Sequence, residues 1–597
     1  MAITAMPMLS RLDVTLPTPA FAVIGRVLPR SLHLTSLTVF FRGASNSELV
    51  EVEVEEEEEE EGKAFRRALR CLPFLQELTI TRIPIDAELG FDLMKAARCL
   101  SRGLTSLDLS FCSPNGGHNP AAAALQGDSL HQLDQLASLT RLQRLQLNGL
   151  LGGQQHVPPA LGTLTSLDLQ GQDPMVLRGI SSLVVLRDLR LQELSEWPSG
   201  LGSLRWLTRL ELRAGRALAL PTGCALPPQL RHLEVNTDME TDSCPIVLPS
   251  LSTLGQLQHL QLEECDLDEL LDSLPHLSCL TLLRLRFCRL EGDLGGEGSR
   301  LQLSHLAALQ HLQVESCTLS EAPAGLRQLS ALTELVLDSN DIGLGCYYCS
   351  DDSDDDDAMD EGDRPATAGL LGAMYDGFMS DRALDEDDRI WLGPTSPLAT
   401  LSRLPALQRL SLLRQSPYSG HCHHRHGSKS ARRLVQQQLH TFLSMPSPTL
   451  ANITYLQLSY DSGSSEQLPW KGLEDGSMAT SRQPLPLPDK LRTACPQLSH
   501  LACRFVDGPA LVRVLPHLAG LTELDVRHCD LSGAPLDLGR LRSLQRASFQ
   551  LCRISQPPVG LSTLGALTKL ELQGNALSFG SERVVRGQAG CHVDVEF

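Results

Sequence analysis

Along most of the chain, aliphatic residues recur in one short arrangement, Leu-x-x-Leu-x-Leu, with Val, Ile or Phe accepted at the last site and two first or middle positions degenerate. Nineteen such cores begin at Leu9, Leu34, Leu75, Leu104, Leu142, Leu164, Leu186, Leu207, Leu230, Leu257, Leu280, Leu309, Leu332, Leu407, Ile453, Leu498, Leu521, Leu544 and Leu567. Of the eighteen intervals between them, thirteen lie between 21 and 29 residues and the commonest is 23, so the chain has a period. Apolar and polar residues alternate inside each core. That alternation predicts a short strand with one buried face, because successive side chains on a strand point to opposite sides. A single strand of this kind buries too little apolar surface to be stable, so neighbouring coils must stack over a shared core.

The arrangement resembles the leucine-rich repeat family over nearly the whole chain apart from its inserts. In several coils the segment after the strand reads Pro-x-x-Leu-x-x-Leu: Pro198 to Leu204, Pro323 to Leu329, Pro535 to Leu541 and Pro558 to Leu564. With the 23-residue period, this is similar to the intracellular Ras-binding-type class. The resemblance implies an α/β solenoid: a curved array of about nineteen coils with a concave parallel sheet, an irregular or helical convex side, and disordered acidic inserts. It also implies that the residue three places after the core, usually Asn or Cys, turns inward to bond the backbone of adjacent coils. Here that site holds Cys112, Cys265, Cys288, Cys317, Asn340, Cys529, Cys552 and Asn575. Six of the seventeen cysteines are thereby expected to be buried structural thiols. The inward residue is missing at Leu150, Gln172 and Leu194, where looser or irregular stacking is expected. The first core begins only nine residues into the chain, leaving little room for a polar cap.

Five intervals exceed 35 residues, and two of them, 45 and 46, are near twice the period, with room for a degenerate coil. The run Ala121 to Leu139 spaces its leucines helically and predicts a longer convex-side helix. The expected organisation is an array over 1–344 with a disordered acidic insert at about 47–62, an acidic disordered insert over 345–400, and a C-terminal array over 401–597 that continues the same solenoid. Inserts at about 414–450 and 460–492 interrupt the latter.

The formal charge of −20 sits mostly in two runs: Glu51, Glu53 and Glu55 to Glu61 supply nine charges, and Asp351 to Asp363 supplies nine more. Such runs read as solvated loops. The remainder is close to neutral and offers no broad basic face to a phosphate backbone, so nucleic-acid binding is not expected. No apolar stretch reaches the roughly 18 residues of a membrane helix, and no secretory leader pattern opens the chain. An odd number of cysteines without paired spacing fits reduced thiols in an intracellular, cytoplasmic protein.

Patterns for catalysis are missing where they are easy to see: there is no Gly-x-Ser-x-Gly, no His-Glu-x-x-His and no P-loop, and no cofactor is expected. Cys346 and Cys349 with His421, Cys422, His423, His424 and His426 carry zinc-type ligands, but the spacing is not that of a structural zinc site and no metal site is assigned. What the array offers is its outward strand positions: Arg209, Glu211, Arg213, His232, Glu234, His259, Gln261, Glu263, Arg284, Arg286, His311, Gln313 and Glu315. The row mixes both signs with imidazoles and amides, which suits a polar protein partner and equally suits plain solvation. His232 and His259 occupy the same site in successive coils, but the residues favour neither a metal pair nor a pH switch. The expected function is a non-enzymatic protein-binding scaffold or regulator acting through the concave face. The alternatives are a ciliary or cytoskeletal component at the axoneme, or the substrate-receptor subunit of a ubiquitin ligase.

Overall fold

The structure is a computed structural model. It describes residues 9–17, 33–42, 72, 74–84, 103–112, 133–214, 225–237, 246–248, 250–288, 301–317, 323–338, 401, 403–414, 442–443, 447–460, 487–488, 490–532, 535–589 and 593–597. They fall into two compact units: residues 1–292 with 305–309, and 293–304 with 310–597. The 47–62 and 345–400 inserts, with the boundary expected at the latter, lie outside the described residues, as do Cys346, Cys349 and His421 to His426.

The first unit carries β1 (Arg11–Pro17), β2 (Ser36–Arg42), β3 (Glu77–Pro84), β4 (Ser106–Cys112), β5 (Arg144–His156), β6 (Ser166–Arg178), β7 (Asp188–Leu194), β8 (Arg209–Ala214), β9 (His232–Thr237), β10 (Ile246–Val247), β11 (His259–Glu263), β12 (Cys265–Asp266) and β13 (Leu282–Arg286). All pair in parallel: β10 with β12, and the others with their neighbours in chain order from β1 to β13, as in the register Arg209↔His232↔His259↔Leu282. The second unit carries β14 (His311–Glu315), β15 (Glu334–Val336), β16 (Arg409–Arg414), β17 (Tyr455–Tyr460), β18 (His500–Arg504), β19 (Glu523–Arg527), β20 (Arg546–Gln550), β21 (Lys569–Glu571) and β22 (Asp594–Glu596), again a parallel ladder.

Each of the nineteen sequence cores is therefore a strand, and the leucine-rich repeat solenoid is the fold of this chain. Three strands lie outside those cores: β10 and β12, of two residues each, and β22, in whose sequence His592 takes the place of the leading aliphatic residue and Val595 is the buried contact. The core leucines lie in unbroken inward rows, such as Leu189, Leu210, Leu233, Leu260 and Leu283, each fully buried. Burying a leucine side chain is worth about 1.5–3 kcal/mol, and it happens here only because the adjacent coil covers it.

Two recurrent devices hold the coils in register. The first is a threonine after the leading leucine. In one coil the Thr105 amide, the Ser106 amide and the Thr105 hydroxyl all donate to the Gln76 carbonyl, at 2.8, 3.0 and 3.1 Å. The same triple contact recurs at Thr281 on Gln258 and Thr568 on Gln545. The second is the inward residue after the strand. Cys265, Cys288, Cys317, Cys529 and Cys552 are all buried free thiols, donating to carbonyls such as Leu262 O from Cys288 and Val526 O from Cys552. Asn575 does more: it accepts from the Cys552 and Ile554 amides at 3.0 and 3.1 Å and donates to the Phe549 and Leu572 carbonyls. Just before this site the chain bends through a left-handed residue, as at Glu264, Phe287, Ser316, His528 and Leu551, with φ between 51° and 54°. A side chain there costs about 1 kcal/mol or more, which burial of the next residue offsets.

The coils lacking Asn or Cys are irregular but not loose. At Leu194 the bend is kept by Glu193 (φ 60°), and the leucine itself fills the inward site, fully buried. In the two preceding coils the strands continue to thirteen residues each through bulges, adding pairs such as Gln154↔Val176. The side chains of Leu150, Gln172, Cys112 and Asn340 lie outside the described set. Of the helix expected over Ala121–Leu139, only its end is described, as a 3-10 turn at Leu133–Leu136.

Opposite the strands run 3-10 turns and short helices: α1 (Asp268–Ser273), α2 (Pro448–Asn452), α3 (Leu491–Ala494), α4 (Gly508–Val514) and α5 (Phe579–Ala589). Three of the four Pro-x-x-Leu-x-x-Leu segments become 3-10 turns at Leu201–Ser203, Leu326–Gln328 and Leu561–Thr563. In each a glycine precedes the turn at φ of 83° to 90°, a conformation other residues rarely adopt. The fourth has Asp537 at that place and forms a bridge to Val559 instead.

Burial pushes the Cys529 and Cys552 thiols up to about 12. Both are therefore expected to resist iodoacetamide at pH 8 in the folded chain and to react fully in denaturant, which peptide mass spectrometry reads directly. Replacing Asn575 by Ala strands two amides and two carbonyls, and is expected to lower the stability of the second unit by roughly 2–3 kcal/mol, measured as the shift of its urea unfolding midpoint.

Candidate functional site

The outward positions of the first unit form a connected polar network across five consecutive strands. The core leucines set their register, so each outward side chain faces its counterpart one coil away. Arg190 on β7 reaches Glu211 on β8, Nε to Oε2 at 3.3 Å, while Arg209 on β8 holds the other oxygen of the same carboxylate. On β9, His232 Nε2 stands 3.7 Å from both Glu211 Oε1 and Glu234 Oε2. Glu234 Oε1 accepts from Asn236 Nδ2 at 2.8 Å and from Gln261 Nε2 on β11 at 3.2 Å. The chain of contacts continues to β13, where Arg284 donates to Gln261 Oε1 at 3.3 Å and Arg286 pairs with Glu263 at 3.2 Å. The His232 and His259 rings meet edge to face, with centroids 5.5 Å apart.

Of the outward residues read from the sequence, the structure thus joins Arg209, Glu211, His232, Glu234, Gln261 and Arg284, with His259 against His232 and a separate Arg286–Glu263 pair beside them. His311, Gln313 and Glu315 lie in the second unit, where His311 pairs with Glu334 at 3.1 Å and Gln313 donates to Glu315.

Burial distorts the acid–base properties of this face. The His232 ring and the Asn236 amide hold the Glu234 carboxyl below its usual range against its burial. Desolvation pushes Glu263 up, only partly countered by Arg286. Asp168, on β6, is pushed up to about 6, chiefly by burial; Arg190 opposes this, while Glu211, Asp188 and Asp108 add to it. Its Oδ1 is buried with no hydrogen-bond partner among the described residues. Sequence reading missed Asp168 because its neighbours on adjacent strands, Asp188 and Arg190, are 20 and more residues away in the chain.

A second feature also escaped the sequence. On the second unit a depression of about 280 Å³ is lined by Tyr455, His500, Glu523, Asp525, Arg527, Arg546, Lys569 and Glu571, with Ala502 and Ser548 in its floor. The signal was present: Ala502 and Ser548 are small residues at outward mid-strand positions on either side of Asp525. Its charges are paired, Asp525 with Arg527 at 2.9 Å, Glu523 with His500 at 3.5 Å, and Glu571 with Lys569 at 2.7 Å.

No family model and no curated protein sequence matches the chain. Solved structures similar to it include a leucine-rich repeat protein of Leptospira interrogans, at 16% identity and a TM-score of 0.38, covering 86% of this chain and 93% of that one. Another is the leucine-rich repeat ectodomain of the Arabidopsis receptor kinase HAESA in complex with an IDA peptide hormone, at 16% identity and a TM-score of 0.36, covering 98% and 76%. A third is the functional domain of InlJ from Listeria monocytogenes, which includes a cysteine ladder, at 14% identity and a TM-score of 0.30, covering 57% and 60%. The class of this chain rests on its own architecture: nineteen repeated cores, each a parallel strand, with the inward Cys and Asn positions bonded between coils. Its fold is the leucine-rich repeat solenoid. Among the described residues no helix is long and apolar enough to cross a membrane.

The folded-state pKa of Asp168 is raised above its ordinary value of about 3.9, so the native state binds the proton more tightly. Stability contributed by protonated Asp168 is present below pH 4 and is lost as pH rises through about 6. Asp168→Asn is therefore expected to stabilise the first unit at pH 7.5, on the order of 1 kcal/mol after discounting for its partial exposure. At pH 4 it should change little. Thermal melts of both chains at the two pH values check this.

Proposed function

We propose that the chain is a non-enzymatic protein-binding scaffold that takes a polar partner protein on the outward strand face, through Arg209, Glu211, His232, Glu234, His259, Gln261, Glu263, Arg284 and Arg286 in the first unit and through His311, Gln313 and Glu315 in the second. The observation that carries this reading is the contact network from Arg190 to Arg284. These side chains are held by one another before any partner arrives, yet Arg209 and Arg190 remain about two-fifths exposed. Long side chains fixed in advance lose less freedom on association, so each charge-assisted contact contributes more to binding.

Spread of the ionisable groups along an open row, in place of convergence on an enclosed cleft, supports binding over catalysis. Mixed charge along the row supports a protein partner over a phosphate backbone. The 23-residue period and the Pro-x-x-Leu-x-x-Leu segments support the intracellular Ras-binding-type resemblance, and with it a cytoplasmic role in scaffolding or regulation.

The test is affinity capture with the intact chain and with Arg284→Glu/Arg286→Glu. The double reversal is expected to remove a specific interactor, lowering its recovery at least tenfold, the effect of about 1.4 kcal/mol, while the thermal melt is retained. Recovery of every partner at undiminished yield would move binding away from this face.

A further inference from the structure

Three metal-competent side chains converge on the outward face of the first unit. Glu211 on β8 and His232 and Glu234 on β9 each present one ligand atom, and these atoms all lie within 4.8 Å of one another. We propose that the three form a transition-metal site of the zinc class, with one oxygen from each carboxylate and Nε2 from the imidazole.

The geometry suits such an ion. His232 Nε2 is screened from solvent and has no hydrogen-bond partner among the described residues. It faces Glu211 Oε1 and Glu234 Oε2, each at 3.7 Å, too far for a hydrogen bond. Zinc–ligand bonds of about 2.0–2.2 Å in a tetrahedron set neighbouring ligand atoms roughly 3.3–3.6 Å apart, so the two sides of this triangle that meet at His232 already stand close to that spacing, and the two carboxylates, within 4.8 Å, close the third side by side-chain rotation. One imidazole with two carboxylates matches zinc and its neighbours in the first transition row, whereas calcium wants six to eight oxygens. Three protein ligands leave one position open to water or an incoming group.

The surroundings are those of a held ligand set. Asn236 and Gln261 both donate to Glu234 Oε1 and leave Oε2 turned to His232, an outer-shell arrangement of the kind that orients metal ligands. The opposing influences are Arg190, which pairs with Glu211 Oε2 at 3.3 Å, and above all Arg209, which donates to the Glu211 Oε1 that the ion would take. A metal ion must displace that contact, so affinity is set below that of an enclosed structural site. His259, edge to face with His232, lies outside the ligand set. The inference is independent of any protein partner, because the metal alone is the probe.

The test uses the full chain, stripped by a chelator and titrated with zinc by calorimetry, with cobalt absorption reporting the ligand field. His421 to His426 and Cys346 with Cys349 carry zinc-type ligands of their own, so the readout is the difference between the intact chain and its variants. One saturable equivalent is expected to disappear in His232→Ala and again in Glu234→Gln, a near-isosteric change that keeps the fold, while the metal-free melts stay unchanged. Arg209→Ala is expected to tighten that equivalent about tenfold, because it removes a charge-assisted hydrogen bond to the very Glu211 oxygen that the ion must otherwise break. Equal zinc stoichiometry in the intact chain and both ligand variants overturns the site, and so does weaker binding in Arg209→Ala.

Discussion

Everything in this molecule depends on the fact that a coil cannot bury its own leucines. Each strand exposes one row of two or three aliphatic side chains, and only the next coil's identical row shields them. Register follows from this. A one-residue slip would turn the whole row to solvent, so Leu210, Leu233 and Leu260 can meet only as they do. The outward residues inherit that precision at no further cost, which is how Glu211 and Glu234, 23 positions apart, come to face one imidazole.

Backbone chemistry reinforces the same stacking. A threonine hydroxyl and two amides share one carbonyl of the preceding coil, and the inward thiols and Asn575 satisfy backbone groups where the chain leaves the strand and bends. Buried polar backbone must find partners, and here they are supplied by the neighbouring coil. The left-handed residue before each inward site carries the local strain of that bend. Leu194 shows the minimum requirement, since an apolar residue fills the inward site there, paired with Met175 on the coil before and Ala214 on the coil after.

The fold was legible because its signal is redundant: nineteen repetitions of the core made the period visible even where single positions are degenerate. What escaped had no repetition or no local signature. His592 broke the pattern of the last strand. The threonine device was legible in principle, since Thr105, Thr165, Thr208, Thr281, Thr333, Thr522 and Thr568 all follow the leading leucine of their coils. The outward row could be enumerated from the sequence, but which of its members touch could not, because contact depends on rotamers and on which carboxylate oxygen an arginine claims. His232 and His259 share a column and their rings meet edge to face, but only contact geometry places the His232 Nε2 3.7 Å from two glutamates.

The claim beneath the whole account is that no coil is stable without its neighbours. Hydrogen exchange of the intact chain beside Leu233→Ala tests it most directly, because the substitution opens a cavity in one coil only. Interdependent stacking predicts loss of amide protection in β8 and β11 as well as β9. Loss confined to residues 230–237, with both flanking strands as protected as before, would contradict it.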